Sequence, residues 1–86
     1  MINFIYAPVF IRQFNKLEKD LGNEVLEKIE LFKNKDNHSL LKVHKLHGRF
    51  KNSYSFYVNY KIRVVFMWGD EEEAILLAIG DHDIYK

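Results

Sequence analysis

The chain opens on Ile2-Asn3-Phe4-Ile5-Tyr6, a short run rich in β-branched and aromatic residues that predicts a strand. Pro8 suits the first turn of a helix, where its missing N–H is no loss. Phe10, Phe14, Leu17 and Leu21 then recur at i, i+4, i+7 and i+11, one helical face, with Arg12, Lys16, Glu18 and Lys19 mostly on the other. Leu21-Gly22-Asn23 interrupts the pattern. Gly22 is expected to end this helix in a left-handed conformation, and Asn23 to cap a second one from about Glu24 to Lys33. In that second helix Val25, Leu26, Ile29 and Phe32 form an apolar stripe. The two segments predict an antiparallel helical hairpin.

After the polar stretch from Asn34 to Ser39 the period changes from 3.6 to 2. Tyr54, Phe56, Val58 and Tyr60 alternate with Ser55, Tyr57 and Asn59, and Ile62, Val64 and Phe66 alternate with Arg63, Val65 and Met67. Ala74 to Ile79 is a continuous apolar run, as an interior strand would be. Gly69 to Glu73 is an acidic turn before it, and strand pairing is also plausible around Val43–Phe50. The order predicts one α+β domain over residues 1–86. It has an N-terminal strand, an antiparallel helical hairpin, and then a three- to four-stranded antiparallel sheet with the hairpin on one face.

Composition narrows the function classes. The apolar fraction of 48% and charged fraction of 29% are those of a folded domain, not a disordered one. The chain has no cysteine, which removes disulfides, thiolate metal sites and cysteine nucleophiles. The opening Met1 to Phe14 lacks a basic start, its apolar run is broken by Arg12 and Gln13, and no stretch reaches the length of a membrane span, so a cytoplasmic protein without a membrane partner is expected. The net charge of +1 hides an asymmetry. From Lys33 to Arg63 eight basic residues face one acid, Asp36, whereas the remainder holds five basic and eleven acidic residues. Such clustering is the electrostatic mark of a polyanion partner, set against the plainer reading of a solvated lysine face.

Within the basic stretch, Arg63 is the sharpest residue. It alternates with Ile62 and Val64, so it sits either on a wet face or where the sheet holds it to grip a phosphate. His82 follows the apolar run and Gly80. It is either a surface histidine in a turn or a group able to protonate a leaving oxygen. His44 is a general base or simply positive decoration beside Lys45, and Tyr85 either stacks on a base or fills the core edge. Tyr57 shares the Arg63 face only if the intervening turn sets that register. His44 and His47, three apart, would chelate a metal on a helix, but this stretch reads extended and no metal or other cofactor is expected. RNA carries its own nucleophile, the 2′-hydroxyl. An enzyme using it needs a base, a cation at the scissile phosphate and an acid for the 5′-oxygen, and His44, Arg63 and His82 are of the right types.

These residues also carry a resemblance. Leu41-x-x-His44-Lys45-Leu46-x-Gly48, then Tyr54-Ser55-Phe56-x-Val58-Asn59, Arg63-Val64-Val65-Phe66 and finally Leu76-Leu77-x-Ile79-Gly80-x-His82-Asp83-x-Tyr85, after the Pro-led helix, resemble the RelE/ParE superfamily of small bacterial toxins. The similarity spans nearly the whole chain and is nearest to RelE/StbE and YafQ-like members. It implies a ribosome-dependent mRNA endonuclease that inhibits translation and is neutralised by a cognate antitoxin. Its partners would be that antitoxin, the ribosome and mRNA, with no DNA contact by the toxin alone. It also implies catalytic roles for His44, Arg63, His82 and Tyr85, while the basic stretch is expected to hold RNA through Lys42, Lys45, Arg49, Lys51, Tyr57 and Lys61. On this basis Arg63→Ala is expected to abolish cleavage and leave the fold intact. The terminal His82-Asp83-Ile84-Tyr85 is one residue shorter than the usual family spacing, and Tyr57 stands where YafQ-like members have a second histidine. Alternatives are a ParE-like gyrase inhibitor and an inactive relative that only binds an antitoxin.

Overall fold

The computed structural model describes residues 1–48 and 52–85, with the backbone alone for His82 and Tyr85. Strand β1 (Asn3–Tyr6) leads through extended Ala7 into helix α1 (Pro8–Asn15), with Pro8 at its start as expected. Helix α2 (Lys19–Phe32) follows. Three further strands, β3 (Tyr54–Tyr57), β4 (Arg63–Trp68) and β5 (Glu73–Gly80), form an antiparallel meander, with the two-residue β2 (His44–Lys45) at its outer edge. The order across the sheet is β1-β5-β4-β3-β2.

The N-terminal strand joins this sheet and pairs in parallel with β5, Asn3 opposite Glu73 and Tyr6 opposite Leu76. Among the described residues the sheet therefore has five strands and is mixed. The connection from β1 to its parallel partner β5 runs through both helices and strands β2 to β4, long enough for the crossover that parallel pairing requires.

The helix boundary differs from the sequence reading. The break falls at Lys16 to Glu18, where the Leu17 amide bonds back to the Phe14 carbonyl at 3.0 Å and Glu18 is extended. Gly22 instead lies inside α2, its amide bonded to the Glu18 carbonyl and the side on which a β-carbon would stand facing the Phe14 ring. The apolar face survives the break. Phe10 is buried, and Phe14 of α1, Leu17 in the break and Leu21 of α2 pack against the core.

Phe32, at the end of α2, is the hub of that core. Its ring lies 4.8 Å from Phe56, 5.0 Å from Phe66, 5.7 Å from Phe4 and 4.4 Å from His38. His38 is tied there by its Nε2, 2.8 Å from the Phe32 carbonyl. It is a structural histidine. Where β1 ends, the β5 edge would be bare, and Gln13 of α1 covers it, its Oε1 accepting the Ile79 amide at 2.8 Å. No helix among the described residues is long and apolar enough to cross a membrane.

Candidate functional site

The register brings distant residues into one row. Tyr57 of β3 is opposite Arg63 of β4, which is opposite Gly80 of β5. Directly opposed residues share a face. This one is the reverse of the face carrying Phe56, Val64 and Ile79 into the core. Tyr57 thus does share the Arg63 face. His44 of β2 is opposite Ser55, two residues from Tyr57 on the same face. Its ring meets the Tyr57 ring edge-on at 6.2 Å, and its Nδ1 lies 2.8 Å from the Lys42 carbonyl.

Tyr57 is the centre of the group. The Arg63 guanidinium stacks on its ring at 3.5 Å, and the Lys42 ammonium lies 5.3 Å from the same ring. Lys42 itself has a φ of 56°, a left-handed backbone that costs an L-residue roughly 1 kcal/mol or more. That conformation turns the chain between Leu41, whose carbonyl accepts the Tyr57 amide at 2.8 Å, and His44.

Arg63 does not lie on a wet face. It is buried, at 4% exposure, and spends its Nη1 on the carbonyls of Asn59 (2.7 Å) and Ile62 (3.3 Å) and its Nη2 on that of Tyr60 (3.0 Å). Three of its five N–H groups thus close the turn between β3 and β4. The sequence showed an arginine in an apolar strand but could not show that the preceding turn would fold back over its end.

Asn59, to which the sequence assigned no role, organises that turn. Its Oδ1 accepts the amides of Lys61 and Ile62, both at 2.8 Å, and its Nδ2 donates to Glu24 of α2 at 2.8 Å. The signal for it was an Asn ahead of a short connection between two strands, a common turn former.

Gly80 ends β5 beside this row, and the 3-10 turn His82–Tyr85 begins two residues later. A β-carbon at position 80 would collide with the Ile84 side chain, so glycine lets that turn fold tightly back on β5. The backbone of His82 therefore starts at the same end of the sheet as Arg63. Among the RNA-contact candidates, Lys42, Lys45 and Lys61 are exposed and Tyr57 is half-buried, whereas Arg49 and Lys51 lie outside the described residues.

No family model and no curated protein sequence matches the chain. Solved structures do. The conserved hypothetical protein HP0894 of Helicobacter pylori matches with a TM-score of 0.73 at 24% identity, over 96% of this chain and 97% of that one. YafQ of E. coli strain BL21(DE3) matches with a TM-score of 0.75 at 14% identity, over 99% and 98%. A heterotetrameric YoeB–YefM toxin–antitoxin complex from Staphylococcus aureus supplies a third, with a TM-score of 0.70 at 18% identity over 95% and 98%. The chain shares the fold of these solved structures, YafQ and the YoeB–YefM complex among them.

Proposed function

We propose that the protein is the toxin of a toxin–antitoxin pair and cleaves mRNA on the ribosome, without metal, through the 2′-hydroxyl of its substrate. The observation that carries this reading is the gathering of His44, Lys42, Tyr57 and Arg63 on one sheet face, inside the basic part of the chain and beside the start of the His82–Tyr85 turn. In the reaction, His44 takes the proton of the 2′-hydroxyl. The freed oxygen attacks phosphorus, a 2′,3′-cyclic phosphate forms, the bond to the 5′-oxygen breaks, and His82 protonates that leaving oxygen. Arg63 acts from within the protein. Its charge lies under the Tyr57 ring, and two N–H groups remain beyond those spent on the turn. Exposed Lys42 adds a cation at the surface, and Tyr85 orients a base. The fold shared with a toxin–antitoxin complex supports a cognate antitoxin as the other partner.

Primer extension on an mRNA in a reconstituted translation system tests this. Cuts at defined codon positions are expected from the wild type. They should require ribosomes and drop by about a hundredfold or more in His44→Ala and His82→Ala, in the range of a lost acid–base group. His44 is exposed and its loss leaves the core untouched, which makes it a cleaner probe than Arg63. The burial of Arg63 also favours a second reading, an inactive relative that binds its antitoxin alone. A folded wild type that makes no cuts would move the assignment there.

A further inference from the structure

The turn that Arg63 and Asn59 hold in place has one residue with no structural use for its bulk. Tyr60, at the tip, is 89% exposed, although its backbone carbonyl is fixed by Arg63. Across from it Leu40 is 71% exposed. Both line a groove of about 600 Å³, within the roughly 300–1,000 Å³ of ligand clefts. Its apolar lining includes Leu41 and Val58, both buried core residues, and it carries Lys28, Lys42 and Arg63. No carboxylate lines it among the described residues. Through Lys42, Tyr57 and Arg63 the groove is continuous with the candidate site.

We propose that this groove is a subsite for single-stranded RNA, holding a nucleotide next to the scissile phosphate, with its base stacked on Tyr60 and its phosphate on Lys28 and Lys42. The inference rests on the RNA-cleavage reading and adds residues to it. Three features select the occupant. An exposed aromatic ring on a fixed turn presents a face to any base and costs little ordering entropy. Lys42 and Lys28 give the groove a positive lining that complements a polyanion, Lys28 lying 3.9 Å from Glu27 just outside it. The apolar lining and Leu40 suit the flat, weakly polar face of an unstacked base.

The test is the anisotropy of a short, fluorescein-labelled, 2′-O-methyl single-stranded oligoribonucleotide, which binds but offers no nucleophile. Tyr60→Ala should weaken binding roughly tenfold or more, within the range for loss of one base–aromatic stack, while Tyr60→Phe stays within about twofold of wild type. Lys28→Gln should weaken binding and lower its salt dependence. Circular dichroism should show all three folded, since the Tyr60 ring is solvent-exposed. If Tyr60→Ala and Lys28→Gln bind RNA like the wild type while Lys45→Gln, outside the groove, does not, the subsite is wrong and the RNA reading stands. If Tyr60→Ala spares RNA but loses affinity for an acidic helical peptide, the groove serves a protein partner and the subsite is overturned. A wild type without affinity for free RNA overturns the subsite, while the cleavage reading is decided separately by primer extension with ribosomes.

Discussion

At the scale of single residues, the chemistry is decided by how Arg63 is held. A buried guanidinium with three carbonyl partners is a structural clamp as well as a source of charge. Removing it leaves the carbonyls of Asn59 and Tyr60 without their donors and Tyr57 without its stacking partner. Arg63→Ala is therefore expected to lower stability by about 2–4 kcal/mol in urea unfolding, from lost charge-assisted hydrogen bonds and packing. A melting profile equal to wild type would show the turn does not depend on it. The burial and hydrogen bonds of Arg63 argue against the sequence expectation that Arg63→Ala leaves the fold intact. Residue type made Arg63 a candidate, but type carries no information on which of its N–H groups are already occupied. The same holds for the histidines. His38 lies within a polar stretch, yet it packs on Phe32, while His44 stands exposed.

At the scale of elements, the strands were legible because burial on one face writes a period of two into the sequence. The alternation around Tyr54–Tyr57 and Arg63–Trp68, and the apolar run inside Glu73–Gly80, correspond to β3, β4 and β5. The helix break was not legible. Lys16-Leu17-Glu18 contains no glycine or proline, whereas Gly22 looks like a terminator and is not one. In the fold Gly22 is an ordinary helical position, where an added β-carbon would meet the Phe14 ring at 3.7 Å, normal van der Waals contact. Gly22→Ala should accordingly stabilise the protein by about 0.5–1 kcal/mol, through the lower entropy of the unfolded chain and better helix propensity. Thermal unfolding checks this. A lower melting temperature would mean that Phe14 cannot yield at that contact.

At the scale of the whole molecule, charge separation governs partner binding. The basic middle of the chain brings exposed Lys42, Lys45 and Lys61 to the sheet and its turns, while Glu18, Asp20, Glu24 and Glu27 gather around a hollow at the start of α2. RNA affinity should fall with salt on a log–log plot, with a slope of about −0.7 per phosphate neutralised on a single strand. Filter binding across a salt series measures it. Lys42→Gln should make the slope shallower by roughly that amount. A slope near zero would place RNA binding on non-ionic contacts and remove the role assigned to the basic stretch.

The sequence by itself determined the class of fold, the position of the main strands, the apolar face running through both helices, and the charge asymmetry. Each is set by local periodicity or by composition. It also supplied the residue types of the site. Only the tertiary structure decided that β1 lies parallel to β5, that Tyr57, Arg63 and Gly80 form one row, and that Arg63 is buried under a turn anchored by Asn59 and Glu24. Those facts depend on register and on contacts between residues far apart in the chain. A one-residue slip in pairing would move every side chain to the opposite face, and nothing in the local pattern alone forbids it.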